Sequence, residues 1–456
     1  MLKKNLTLTC QVERFGVNGE GIIRYEGQVV FVPFALPGEK IILRVQKVTK
    51  THAFGKLLEV LEPSLSRTAP PCPYYFRCGG CSVQHMSYET QLSFKRETVF
   101  DCLSRIGSVI QPVNPVIRMI DPWRYRNKTA MPVALTEDGP AAGYYAYRSH
   151  RLIPVESCLI AHPSSDTAAG CVTRWMREYG IAPYEEMSGM GLVRHIITRN
   201  TGRNEVMVTL AINGKGIPHQ DELVESLKES MLNISSLCLT SQEQRDNVIL
   251  GQDYRVVYGS RILVERISGL DFELSPLSFA QVNSEIRDKM YAWVLSEAGI
   301  NKDVCLLDLY CGAGTISLLS AKQTGRVIGV ELSSQSVIDA MENARRNGIT
   351  NAEFYHGRAE DVLPGLIESG LCPDVVILDP PRKGTHSAVL SSIGQAAPRK
   401  IIYISCQPAT QARDAAVLVG LGYRITASQP FDMFPQTAEI ENVLTFERNN
   451  EEAADE

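Results

Sequence analysis

Between residues 6 and 61 apolar and polar positions alternate in short runs, among them Gln28-Val-Val-Phe-Val-Pro-Phe34 and Lys40-Ile-Ile-Leu-Arg-Val-Gln-Lys-Val48, with glycines at 16, 19, 21, 27 and 38 between them. A period of two broken by glycines predicts a small five-stranded barrel of the OB type. Four prolines from Pro63 to Pro73 break any helix and mark a boundary. From about residue 90 to 270 the pattern is mixed. A strand over 191–199, a turn at Asn200-Thr-Gly-Arg-Asn204 and a returning strand over 205–210 predict a central α+β domain. Beyond Leu274, apolar strands at 304–309, 326–331, 375–378 and 400–404 alternate with helical stretches, and a pair at 423–426 and 442–446 closes the chain. That alternation predicts an α/β fold, a mainly parallel sheet with helices on both faces. The expected organisation is a barrel over 1–62, a central domain over 63–273, a sheet domain over 274–450 and an acidic tail over 451–456.

Composition changes this picture little: 44% hydrophobic and 21% charged residues are ordinary for a globular chain. No stretch approaches the roughly 18 consecutive apolar residues of a membrane span. The start, Met1-Leu2-Lys3-Lys4-Asn5, leads into strand-like sequence rather than an apolar signal core. A cytoplasmic protein without a membrane partner, taken as a monomer, is expected. The formal charge of -5 weighs against a nucleic-acid partner, yet four carboxylates sit in the last eight residues, and residues 1–60 hold nine Lys or Arg against five Glu. The basic excess lies on the barrel, where Arg24, Lys40, Arg44, Lys47, Lys50 and Lys56 are candidates for phosphate contacts.

Candidate chemistry concentrates in the last third. Leu306-Leu-Asp-Leu-Tyr310 runs into Cys311-Gly-Ala-Gly314, so glycines stand where the backbone must turn tightly and approach a ligand. Ser317 replaces the third glycine of a dinucleotide fingerprint, and Glu331 ends the next strand, where a carboxylate can accept both ribose hydroxyls of an adenosine. Asp379-Pro-Pro-Arg382 ends the fourth strand at the ligand edge of the sheet. Together these fit S-adenosylmethionine better than a nicotinamide. Arg382 and Lys383, rather than an aromatic ring, follow the two prolines, which disfavours methylation of an exocyclic nitrogen. Tyr403-Ile-Ser-Cys-Gln-Pro408 puts the Cys406 thiol at the same edge, and Glu439 and Glu441 would share a face of an extended segment.

Twelve cysteines in a chain of this size do not read as a disulfide framework. Cys72-x5-Cys78-x2-Cys81, joined by the distant Cys158, provides four thiolates, enough for tetrahedral zinc or an iron-sulfur cluster. Spacing alone does not choose between them.

Phe279-Ala-Gln-Val-Asn283, Asp308-Leu-Tyr-Cys-Gly-Ala-Gly314, Asp379-Pro-Pro-Arg-Lys-Gly384, Ser405-Cys-Gln-Pro-Ala-Thr410 and Ile440-Glu-Asn442, in that order, resemble the RNA 5-methyluridine methyltransferase family. The likeness is to the branch with an N-terminal TRAM domain that modifies 23S ribosomal RNA. It implies a Rossmann-like methyltransferase sheet behind the barrel and a methyl-donor pocket of Gln281, Tyr310, Glu331 and Asp379. It also implies Cys406 as nucleophile, Glu441 as base, and a 4Fe-4S cluster on Cys72, Cys78, Cys81 and Cys158. Two positions depart from the pattern: Gln407 stands where Asn is usual, and Glu439 where His is common. Methylation of a transfer-RNA T-loop uridine is the alternative activity, and a non-catalytic RNA-binding assembly factor the alternative of another class. Radical methylthiotransferases, which also join a TRAM domain to a cluster, space their first two cysteines by three residues and carry the barrel at the other end.

Overall fold

The computed structural model describes residues 2–449; the tail expected over 451–456 lies outside them. The N-terminal sheet has six strands where five are predicted, ordered Thr7–Gln11, Lys40–Val48, His52–Glu62, Gln28–Val32, Gly21–Tyr25, Arg14–Phe15. The extra strand is the two-residue Arg14–Phe15, too short to show a period. Both edge strands are separated by only two residues of chain, which brings the sheet's edges together as a barrel requires. The barrel is fastened to the segment after it by Glu39, fully buried, whose carboxylate accepts hydrogen bonds from Arg67 at 2.5 and 2.6 Å. Phe34 packs edge-on against Tyr75 beside it.

A second sheet of seven strands forms the centre, with Val193–Asn200, Val206–Ile212 and Lys128–Thr136 in its middle and helices Pro163–Glu178 and Gln220–Ser230 sharing its core. The expected turn closes through Thr201 N–H to the Glu205 carbonyl, with Asn204 in the left-handed region at φ 61°.

The C-terminal sheet is ordered Ala352–His356, Arg326–Glu331, Cys305–Leu309, Val375–Leu378, Lys400–Ser405, Glu441–Arg448, Tyr423–Phe431. Its first five strands are parallel and the last two antiparallel. Successive residues serve opposite cores: Leu306, Val375 and Ile377 face one, Leu307, Val376 and Leu378 the other. A strand buried on both faces reads as an unbroken apolar run. The order reverses between Cys305–Leu309 and Val375–Leu378, the point where open sheets of this kind leave a ligand crevice at their carboxyl ends. Helix Tyr88–Arg105, capped by Ser87, places Leu92, Val99 and Leu103 in one of these cores, tying the segment after the barrel to the sheet. Hairpin Leu263–Ile267 and Leu270–Leu274 packs into the other. Among the described residues no helix is long and apolar enough to cross a membrane.

Candidate active site

Gln281, Tyr310, Glu331, Asp379, Cys406 and Glu441 all line one cavity of about 1300 Å³ at the carboxyl ends of the parallel strands. On one side the chain leaves Cys305–Leu309 through Tyr310, Gly312 and Gly314, all at positive φ, the conformation that makes so abrupt a strand-to-helix turn. A side chain at Gly314 would meet Ala340 and Phe354 at 3.0 and 3.1 Å, so glycine is needed there for packing as well. The Glu331 carboxylate accepts from the Gly312 N–H at 3.1 Å and the Ser333 N–H at 2.7 Å, which fixes it at the cavity wall. Ser317, at the missing third glycine, donates to buried Asp308 at 2.5 Å. Gln281 is buried, and its carbonyl accepts from Asn127 Nδ2 at 3.1 Å. Burial, then the neighbouring Asp308, pushes the Asp379 carboxyl up to about 7.

Cys406 and Glu441 meet through strand register. Lys400–Ser405 runs antiparallel to Glu441–Arg448 with Ser405 opposite Asn442, and Cys406, just past one strand, and Glu441, at the start of the other, line the same cavity, where the Glu441 charge acts on the thiol. Gln411 locks this end: its Nε2 donates to the Tyr403 carbonyl at 2.8 Å and the Asn442 carbonyl at 3.0 Å, and Asn442 Nδ2 returns a bond to its Oε1 at 2.9 Å.

The two acidic residues are not equivalent, contrary to the expectation of a shared extended face. The strand begins only at Glu441, which is buried; Glu439 lies in the preceding loop, exposed, and accepts from Arg382 at 3.1 Å. Arg382 also faces the Cys406 thiol. In the sequence this arginine speaks only against another reaction; its place after Asp379-Pro-Pro is the signal that could have put it in the site. Phe434 lines the same cavity, and nothing in its motif marks it for that place.

Burial, and then Glu441, pushes the Cys406 thiol up to about 11, with Arg382 opposing. Burial, then Asp379 and Glu439, holds the Glu441 proton well above the usual carboxylate range. In the free protein, alkylation of Cys406 by iodoacetamide is therefore expected to accelerate about tenfold per pH unit from 7 to 10, as the thiolate fraction grows. Peptide mass spectrometry reads the rate; a rate that levels off above about pH 9 would show an ordinary thiol.

Cys72, Cys78, Cys81 and Cys158 are free and line a second cavity, of about 370 Å³. Among the described residues, however, no group of three or more His, Cys, Asp or Glu is arranged to hold a metal ion, so the expected cluster has no ready-made ligand set. Asp166, paired with Arg124 at 2.8 Å, accepts from the Cys158 N–H and fixes that wall.

On the barrel, Arg24 faces Glu13 at 3.6 Å and Lys40 pairs with Glu62 at 3.1 Å, whereas Arg44, Lys47, Lys50 and Lys56 are exposed. Arg44 stands directly opposite Lys56, a like-charge pair that costs stability unless an anion bridges it. Two residues from Lys56 on the same face, Phe54 packs with Phe31 and His52, and Arg148 of the central domain reaches over its ring at 5.8 Å.

Residues 200–449 match the family model for tRNA (uracil-5-)-methyltransferase, and residues 3–58 match the TRAM domain. An uncharacterized RNA methyltransferase of Clostridium tetani is 38% identical over 444 residues, 97% of this chain and 96% of its own. One from Halalkalibacterium halodurans is 40% identical over 453 residues, 98% of each chain. The crystal structure of Pyrococcus abyssi tRNA (uracil-54, C5)-methyltransferase, in complex with S-adenosyl-L-homocysteine, shares the fold with a TM-score of 0.78 at 24% identity, covering 96% of this chain and 100% of that one. The chain thus belongs to the RNA uracil-5-methyltransferase family, with an N-terminal TRAM domain, and is an RNA (uracil-C5)-methyltransferase.

Proposed function

We propose that this enzyme methylates carbon 5 of a uridine in 23S ribosomal RNA through a covalent Cys406–uracil adduct. The observation that carries the mechanism is that two adjacent strand ends bring Cys406 and Glu441 to the wall of one cavity. Carbon 5 of uracil is a poor nucleophile. The Cys406 thiol gives up its proton to water, the thiolate adds to carbon 6, and the electron pair of the C5–C6 double bond moves into an enolate. S-adenosylmethionine, when bound, supplies an electrophilic methyl group. Carbon 5 takes that methyl, S-adenosylhomocysteine leaves, and Glu441 removes the carbon 5 proton as the C6–S bond breaks and returns the thiolate. Glu441 must enter that last step ionised, its own proton lost to water beforehand, and its raised proton affinity then favours taking the carbon 5 proton. Glu331, with both oxygens already oriented, is assigned to the ribose hydroxyls; Gln281, Tyr310 and Asp379 complete the donor pocket. The choice of ribosomal over transfer RNA rests on the motif resemblance to the 23S-modifying branch and not on the barrel, since a tRNA (uracil-54, C5)-methyltransferase also spans 96% of this chain. Mapping 5-methyluridine in both RNAs from a strain lacking the gene tests it: loss in the T-loop of transfer RNA alone would transfer the assignment.

RNA is proposed to cross the outer face of the barrel, with phosphates at Arg44, Lys47 and Lys56 and a base stacked on Phe54. Each lost phosphate contact lowers the salt slope by about one, whereas a lost stacking ring costs about 1–3 kcal/mol without changing it. Lys47→Ala is therefore expected to flatten the salt dependence of RNA binding, and Phe54→Ala to weaken binding at an unaltered slope. Identical isotherms for both variants and the wild type would remove the barrel from the RNA path.

The cysteine cavity suits a 4Fe-4S cluster on Cys72, Cys78, Cys81 and Cys158. Arg126 and Lys128 line it with no carboxylate, as a negatively charged thiolate-bound group requires, and the Arg126 Nε donor is buried there without a partner. A polyatomic cluster fills such a volume better than one zinc ion. Its contribution would be structural, joining the segment after the barrel to the central sheet. Anaerobically purified protein is expected to be brown, with iron and sulfide in near-equal amounts; zinc alone would overturn this.

A further inference from the structure

The loop from Asp432 to Ile440 carries Phe434 into the active-site cavity and delivers Glu441 to the start of its strand. Its own sequence does little to hold it: Gln436 sits at φ 69°, in the left-handed region that non-glycine residues rarely adopt. Distant segments hold it instead. From helix Tyr88–Arg105, Gln91 Nε2 donates to Gln436 Oε1 at 3.0 Å, and the Gln436 N–H donates to Gln91 Oε1 at 3.1 Å. From the segment just past Cys81, the N–H groups of Ser82 and Val83 both donate to the Gln436 carbonyl, at 3.1 and 3.2 Å. The Ser82 hydroxyl accepts from the Ala438 N–H at 3.0 Å. Ser82 thus grips the loop on both sides of Thr437, three residues short of the base. Arg126, on the wall of the cysteine cavity, lies 5.9 Å from the centre of the Phe434 ring.

We propose that Ser82 is a positioning residue for the base, and that through it the cysteine-bearing segment sets where the Glu441 carboxylate meets the carbon 5 proton. The inference rests on the assignment of Glu441 as base. Cys81 is bonded directly to Ser82, so a displacement at the cysteine cavity reaches the base loop without passing through the donor pocket. The reaction step that feels it is the last one. A misplaced base leaves thiolate addition and methyl transfer intact and slows only proton removal, so the methylated adduct accumulates.

The test is Ser82→Ala in the full chain, with Ser82→Thr, which keeps the hydroxyl, and Gln91→Leu, which loosens the same loop from the helix side. Turnover of Ser82→Ala is expected to fall on the order of 10- to 100-fold, as small displacements of reacting groups do, with KM for RNA and for S-adenosylmethionine unchanged. A denaturing gel should show methylated RNA bound to protein during turnover, and Ser82→Thr should restore the wild-type pattern. Normal turnover in Ser82→Ala, or slow turnover without the adduct, would overturn the inference. Glu441→Gln run in parallel separates the two readings. If it traps the adduct and neither Ser82→Ala nor Gln91→Leu does, positioning by Ser82 fails while the base stands; if Glu441→Gln traps nothing, the base assignment fails and the inference falls with it.

Discussion

Cys406→Ala is expected to bind RNA and S-adenosylmethionine normally yet form neither adduct nor product, because the atom that must bond to carbon 6 is gone. Glu441→Gln should fail differently. It keeps the shape of the side chain and its place at the start of the strand, so thiolate addition and methyl transfer proceed. Removal of the carbon 5 proton should slow about 10²- to 10⁴-fold, the usual worth of a positioned base. A covalent, methylated protein–RNA complex should then survive denaturing electrophoresis. The same complex should form in the wild type with 5-fluorouridine RNA, since fluorine cannot leave as a cation. Product from Cys406→Ala would remove the nucleophile assignment. Ordinary turnover by Glu441→Gln would leave Glu439 as the candidate base, despite its exposure and its bond to Arg382.

The largest effect on stability is expected from Lys95→Met. Lys95 and Asp432 are both fully buried, 2.5 Å apart, and the lysine also donates to the Phe434 carbonyl at 3.0 Å. Tyr88 Oη–H donates to the other Asp432 oxygen at 2.7 Å. Burial lowers the Lys95 pKa while Asp432 raises it, so the partner is what makes a charged lysine tolerable there. Removing the cation leaves a carboxylate in an apolar interior, at a cost of about 3–5 kcal/mol. For a unit the size of the C-terminal sheet that corresponds to a drop of roughly 10 °C in apparent Tm. Lys95→Met combined with Asp432→Leu should recover most of the loss, because replacing both partners removes the buried charge altogether. A single variant that melts with the wild type would show that water reaches this pair.

Register explains where the sequence was legible and where it was not. Strands 375–378 and 400–404 stood out because each is buried on both faces, and the observed strands begin at the same residues. The edge strand Ala352–His356 gave no such signal, since only Phe354 of its five residues is buried. Phe434, Ser82 and Gln91 act through neighbours hundreds of residues away in the chain, and Lys95 sits on a helix with little amphipathic pattern to mark it as buried.

Local chemistry was thus written in the sequence by itself. The Gly-Ala-Gly turn, Glu331 at a strand end, Asp379 before two prolines and Cys406 at the end of an apolar run are dictated by residue type and spacing, because each is a demand the backbone makes within a few positions. Only the tertiary structure decided which of two neighbouring carboxylates is the buried one. The strand starts at Glu441, which stands opposite Phe431, and leaves Glu439 in the loop, a difference set by pairing with Tyr423–Phe431. It alone also decided that the loop before Glu441 hangs from Ser82 and Gln91, since hydrogen bonds across some 350 residues depend on how domains pack and leave no period in the chain.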